Sequence, residues 1–115
     1  MKTFIFGHSA NQVPIPAFTN CTKTEVLIIG GVHGDEPEGI AAAWGLIDKL
    51  STWPFVNDLC LTIIPQLNPD GLLAKTRGNA NGVDLNRNLP TKDWSPIAAN
   101  QRYAPGPFAN SESEN

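Results

Sequence analysis

The stretch "GGVHGDEPEG", Gly30 to Gly39, sets a histidine, three carboxylates and four glycines directly behind the apolar run "EVLII". His33 and Glu36 stand three positions apart where that run ends. A neutral imidazole and a carboxylate oxygen are both ligands for a borderline cation such as zinc. Gly34 lets the turn tighten so that the two side chains can converge. The same H-x-x-E spacing also describes a solvated turn histidine beside a helix-capping carboxylate, and the pair alone does not decide between them. A phosphate cradle at this glycine-rich turn is disfavoured, because Asp35, Glu36 and Glu38 would repel an anion there.

A second stretch, "TRGNANGVDLNRN" from Thr76 to Asn88, gathers Arg77, Asp84, Asn86 and Arg87 in a Gly/Asn-rich loop. An arginine near a metal can stabilise the oxyanion of a tetrahedral intermediate. A second arginine beside an amide is suited to gripping a carboxylate, because the guanidinium fork matches its geometry. A carboxylate such as Asp84 can accept the other N–H of a metal-bound histidine and fix its tautomer. Equally, these four side chains can serve the loop's own backbone and nearby acids.

The elements needed to position these groups are readable. "KTFIF" predicts a strand ended by Gly7. "VPIPAF" predicts an edge strand, since proline cannot donate to a central ladder. "EVLIIGG" predicts a strand buried on both faces. A helix should follow with Asp35 as N-cap and Glu38 three residues on, its apolar stripe being Ile40, Ala43, Trp44, Ile47 and Leu50, and "STWP" its end. "LCLTIIP", Leu59 to Pro65, predicts a second buried strand. Strand, helix and strand at this spacing make a parallel βαβ unit. Such sheets bind ligands beyond the carboxyl ends of their strands, so "GVHGDE" and the segment after "NPDG" should open on one edge. From Gln66 onward turn signals follow one another with little periodicity. "SESE" near the end has the form of a helix capping box with no helix after it, which predicts that residues 1–115 are the N-terminal part of a larger domain with no internal boundary.

Composition narrows the class. The net charge of -3 and the absence of any Lys/Arg cluster argue against a general nucleic-acid partner. The apolar segments are too short for a signal peptide or a membrane span. Cys21 and Cys60 are widely spaced, and Cys60 in its apolar run reads as a small buried hydrophobe rather than half of a disulfide. That predicts a soluble, cytoplasmic protein. The apolar sheet face of a half domain predicts some self-association.

"HGDE", "NPDG" and "TRGNANGVDLNRN" followed by Leu-Pro, in that order, resemble the zinc carboxypeptidase family, and within it the bacterial murein tripeptide amidase branch, where "RGNANGVDLNRN" and a downstream "SE-x-E" are typical. The resemblance runs from Ile29 to about Glu114 and covers roughly the first half of a family catalytic domain. It implies a three-layer α/β/α sandwich around a mixed, largely parallel sheet. It implies one zinc ion with His33 and Glu36 as the first two ligands. Arg77 matches the catalytic arginine that polarises the scissile carbonyl, Asn86 and Arg87 the pair that binds the substrate's terminal carboxylate, and Asp84 the aspartate that orients the zinc histidine. The family's third ligand, a histidine, and its general base, a glutamate, would lie beyond Asn115. The implied partner is a small peptide with a free carboxylate, specifically a murein-derived peptide cut at the γ-D-glutamyl to diaminopimelate bond. A succinylglutamate desuccinylase or aspartoacylase type of deacylase shares the metal pair and the D-L-N-R core. A non-catalytic zinc- or peptide-binding protein is the reading if the chain is full length. His8 falls outside the pattern and reads as a turn or surface residue.

Overall fold

The structure is a computed structural model that describes residues 1–52 and 59–115. Four strands form one mixed sheet: β1 (Lys2–His8), β2 (Pro14–Thr19), β3 (Val26–Ile29) and β4 (Leu61–Ile64), in the order β1-β2-β4-β3. β1 and β2 are antiparallel, as are β2 and β4, whereas β3 and β4 are parallel. The parallel pair flanks helix α1 (Glu38–Thr52), which completes the expected βαβ unit. The segment "WP" of the expected helix terminator lies outside the described residues.

Period-two alternation distributes β4 between two apolar clusters. Leu61 and Ile63 pack with Ala43 and Leu50 of α1, with Ile28, Leu46 and Ile47 at the margin. Ile64 points the other way, into a cluster with Ile15, Ala17, Leu67 and Leu85. β4 is buried along its whole length because it has a neighbouring strand on each side and an apolar cluster on each face. Trp44, placed in the buried stripe by spacing, is 44% exposed and instead meets Phe18 edge to face, with ring centroids 5.1 Å apart.

Several expectations are corrected. β2 is internal rather than an edge strand. Its prolines are tolerated because β4 pairs only with Phe18 and Thr19, leaving Pro14 and Pro16 with one flank outside any ladder. Among the described residues β1 and β3 are the edge strands, and β3 is not buried on both faces: Val26, Leu27 and Ile29 are each at least 40% exposed. β1 continues past Gly7 to His8, with a register shift between Ile5 and Gly7. Helix α1 begins at Glu38, and Asp35 does not cap it; the Asp35 carboxylate is held by Arg102 Nη2 at 2.9 Å. Cys60 is not an isolated hydrophobe. It forms a disulfide with Cys21, their Cα atoms 5.4 Å apart, which ties the end of β2 to the start of β4. Among the described residues no helix is long and apolar enough to cross a membrane.

After β4 comes a helix that the turn signals concealed, α2 (Pro69–Ala74). Asn68 caps it, its Oδ1 accepting from Gly71 N at 2.8 Å, and Pro69 occupies the first turn, where its missing N–H costs nothing. "SESE" starts no helix. Ser111 Oγ donates to Glu112 Oε1 at 2.7 Å, and both glutamates turn inward.

Candidate active site

The loops leaving β3 and β4 stay joined after the strands end. Leu67 N donates to Gly30 O at 3.0 Å and Asn68 N to Gly31 O at 2.9 Å. The fully buried Asn68 adds a bond from Nδ2 to Val32 O at 3.1 Å. His33 follows directly, so its backbone is set by the same β4 loop that begins α2. Gly34 packs against that helix so closely that a Cβ there would collide with the Gly71 backbone. The tight turn required to bring His33 toward Glu36 is therefore also a helix-packing contact, and only glycine fits it.

Four side chains close a ring. His33 Nδ1 lies 3.2 Å from Glu36 Oε2, and His33 Nε2 lies 3.0 Å from Asp84 Oδ1. Arg77 bridges the two acids, donating from Nε to Asp84 Oδ2 at 2.8 Å and from Nη1 to Glu36 Oε1 at 2.9 Å. Asp84 is fully buried, Arg77 and His33 nearly so, and Glu36 is half-exposed. Asp84 also caps the 3-10 turn Leu85–Arg87, its Oδ1 accepting from Asn86 N at 3.0 Å.

The electrostatics follow from that ring. Burial raises the Asp84 pKa, but hydrogen bonds from Arg77 and His33 and the charges of both outweigh it, so the carboxyl is held below its ordinary value. Burial likewise lowers the Arg77 pKa, and the bond to Asp84 with the charges of Asp84 and Glu36 outweighs it in turn, so the guanidinium titrates above its ordinary value. An ionised Asp84 is an acceptor only, so the proton of that contact belongs to His33 Nε2. His33 Nδ1 in the neutral ring is then a lone pair, and it faces a carboxylate oxygen 3.2 Å away. In that tautomer the two atoms are opposed acceptors, an arrangement that a metal cation between them would satisfy.

That pair fits zinc. With bonds of about 2.0–2.1 Å and tetrahedral angles, two zinc ligand atoms stand roughly 3.3 Å apart. The donor types, their separation and the Asp84 carboxylate behind the histidine all suit that ion. Among the described residues no third His, Cys, Asp or Glu joins the pair to make a complete ligand set.

Asn86 and Arg87 are placed differently. Both are exposed and line a cavity of about 600 Å³ together with Leu89, Trp94, Ile97 and Tyr103. Tyr103 joins this cavity to the ring: its aromatic face lies 5.1 Å from the Arg77 guanidinium and 5.8 Å from that of Arg87. The structure therefore brings His33, Glu36, Arg77 and Asp84 into direct contact and sets Asn86 and Arg87 beside them across one tyrosine. His8 is exposed at the end of β1 and takes no part.

Sequence reasoning missed Tyr103, and it noted the "SE-x-E" segment without assigning its acids a role in anchoring this loop. Tyr103 sits in "QRYAPGP", where no periodicity marks it. Glu112 and Glu114 are buried, and Asn79 Nδ2 donates to Glu112 Oε2 at 2.7 Å and to Glu114 Oε2 at 3.3 Å. Asn81 Nδ2 adds a second bond to Glu112 Oε2 at 2.8 Å. Burial raises the Glu112 pKa, yet these amide donors and Ser111 bring it below its ordinary value. The "SE-x-E" segment thus clamps the loop between Arg77 and Asp84. A carboxylate spaced from an Asn-rich loop was the available signal, and it resembled a capping box instead.

Comparison with known proteins agrees with this geometry. The zinc carboxypeptidase family matches residues 1–115. Murein peptide amidase A of Vibrio campbellii is 45% identical over 92 residues, spanning 78% of this chain and 36% of that protein. The crystal structure of a murein-tripeptide amidase from Escherichia coli O157 superposes with a TM-score of 0.74 at 26% identity, covering 99% of this chain and 52% of that one. An aspartoacylase family protein of Mesorhizobium loti superposes less well, with a TM-score of 0.57 at 27% identity over 79% of this chain and 31% of that one. The chain spans about half or less of the length of each, and its mixed α/β sheet is part of the carboxypeptidase fold. The chain belongs to the zinc carboxypeptidase family.

Proposed function

We propose that the protein is a zinc-dependent hydrolase of the metallopeptidase or amidase type, cleaving an amide bond next to a residue with a free carboxylate. The observation that carries this reading is the pair of opposed acceptors, His33 Nδ1 and Glu36 Oε2 at 3.2 Å, with Arg77 bonded to the same carboxylate. A zinc ion held by His33 and Glu36 would supply Lewis-acid activation of water and carbonyl. Asp84 keeps the His33 proton on Nε2 and Nδ1 free. Arg77 is charged at any working pH, and its N–H donors not bonded to Glu36 and Asp84 face the negative charge that develops on the carbonyl oxygen. Asn86 and Arg87 grip the terminal carboxylate of the leaving residue, beyond Tyr103.

The third ligand and the general base are proposed to lie on residues outside these 115, so that the chain alone binds zinc weakly and does not turn over. Isothermal titration tests this: tight one-to-one zinc uptake by the chain would contradict it. The substrate is proposed to be a murein-derived peptide, supported by 45% identity to an enzyme named for that activity. A deacylase of aspartoacylase type is the neighbouring reading. Parallel assays of the whole protein on a γ-glutamyl peptide and on an N-acyl amino acid separate them, with the γ-glutamyl peptide expected to be cleaved faster.

A cytoplasmic role in peptidoglycan recycling goes with that substrate, and the Cys21–Cys60 disulfide stands against it, because retained disulfides belong to oxidising compartments. The exposed apolar residues of β3 support self-association of the isolated chain, which light scattering would detect.

A further inference from the structure

We propose that Tyr103 is a positioning residue that sets the separation between the carbonyl site at Arg77 and the carboxylate site at Arg87, and so selects a leaving residue by the distance from its amide to its carboxylate; this rests on the hydrolase reading above. The half-buried Tyr103 ring has Arg77 Cζ 5.1 Å and Arg87 Cζ 5.8 Å from its centroid. Both distances lie within the range where the negative face of an aromatic ring attracts a cation. The two arginines depend on the ring unequally. Arg77 is nearly buried and is tied to Glu36 and Asp84 whether or not the ring is there. Arg87 is exposed, and among the described residues it has no ion pair. Its Nη1 donates to the adjacent Asn86 O at 3.1 Å. An exposed side chain of that length has many rotamers to lose, and the ring face is a further contact that selects among them.

Tyr103 can act as a gauge because its own backbone is anchored on both sides. Before it, Arg102 Nη2 donates to Asp35 at 2.9 Å, next to Glu36 in the chain. After it, Ala104 O accepts from Asp84 N at 2.8 Å, and Pro105 O accepts from Nδ2 of the fully buried Asn88 at 2.8 Å. Asn100 caps the 3-10 turn Gln101–Tyr103, its Oδ1 accepting from Arg102 N at 2.9 Å. The turn that carries the ring is therefore stitched to the metal-ligand turn and to the short helix that carries Asn86 and Arg87. A carbonyl at Arg77 and a carboxylate at Arg87 are then held at one separation. A leaving residue with its carboxylate one methylene further from the amide does not match a guanidinium seated on the ring. It matches only one that is free to follow it.

The whole protein is assayed on two peptides that differ only in the leaving residue, an α-amino acid in one and its β-homologue in the other. The α-form should be favoured. Tyr103→Leu should raise KM for the α-form about fivefold and narrow the preference by the same factor. Its kcat should change little, because Glu36 and Asp84 still hold Arg77. Tyr103→Met is a second ring-free variant with the same expectation, and Tyr103→Phe keeps the ring face and should restore the parent values. In an Arg87→Ala background, Tyr103→Leu should have no further effect on the preference. Equal use of the two peptides by the parent, equal losses on both, or a loss that persists without Arg87 overturns the proposal and leaves the hydrolase reading intact. Cleavage of neither peptide removes the hydrolase reading, and the arginine Nε–H NMR signals of the whole protein then decide on Tyr103. Tyr103→Leu should shift the Arg77 and Arg87 signals and weaken N-acetylglycine binding about fivefold, with Tyr103→Phe restoring both. An Arg87 signal or an affinity that Tyr103→Leu leaves unmoved overturns the role of the ring.

Discussion

His33 Nε2 and Asp84 Oδ1, 51 residues apart in sequence, are 3.0 Å apart at the buried end of the ring. The contact decides which nitrogen of His33 is free. Replacing Asp84 with Asn removes the acceptor charge and lets an amide N–H face Nε2, which favours the opposite tautomer. Zinc affinity of the whole protein should then fall about 10- to 100-fold. Competition against a chromophoric chelator measures it, and unchanged affinity would show that Asp84 does not set the tautomer.

Arg77→Ala should lower turnover by about 10²–10³ with a much smaller change in KM, because its remaining donors act on charge that appears only in the transition state. Steady-state kinetics on one good substrate suffice. A rise in KM with turnover preserved would assign the arginine to ground-state binding instead.

Arg87→Ala should cost about 10- to 100-fold in kcat/KM on substrates ending in a free carboxylate. The same substrates with an amidated terminus should be poor for the parent and little affected by the change. Equal losses on both would remove the carboxylate grip from Arg87.

Acid stability follows from Asp84 and Glu112. Each has a folded pKa below its ordinary value of 3.8 or 4.5, so each binds a proton less readily when folded than when unfolded. Their contribution is complete above those ordinary values and is lost as the pH falls through the lower folded ones. Melting temperature should hold from neutral pH down to about 5 and drop below about 4.5. Glu112→Gln should make that drop shallower, a comparison accessible by circular dichroism.

The disulfide gives a fifth test. Cys21 and Cys60 close a loop across 39 positions, and a bridge of that span typically contributes about 2–4 kcal/mol. Reductant should lower the melting temperature, and Cys60→Ser should lower it as much and abolish the reductant effect. Rapid alkylation of cell extracts then tells which compartment the protein occupies: blocked thiols mean an oxidising one, and free thiols the cytoplasm.

The parts of the site that follow from local chemistry were legible in the sequence. His33, Glu36 and the loop acids lie where strands end and glycines cluster, and the βαβ unit shows in its hydrophobic runs. Strand order was not legible. The prolines of β2 indicated an edge, but their placement depends on how far β4 extends, which is a tertiary fact. β3 has the composition of a doubly covered strand, yet among the described residues it pairs only with β4 and leaves Val26, Leu27 and Ile29 exposed, and that depends on tertiary packing rather than on the run itself. The pairing of Cys21 with Cys60 was hidden by sequence distance, since only the β2–β4 ladder brings them together. Tyr103 was invisible for the same reason. It gains its meaning from the guanidinium groups of Arg77 and Arg87, contributed by another part of the chain.

The packing of Gly34 on Gly71 has a consequence for how such sites diversify. Two main chains touch there with no room for a side chain, so the histidine turn and the short helix are in effect riveted. Substitutions in the irregular loop from Leu89 to Tyr103, which lines the Arg87 cavity, can change what that wall offers a ligand without disturbing the rivet.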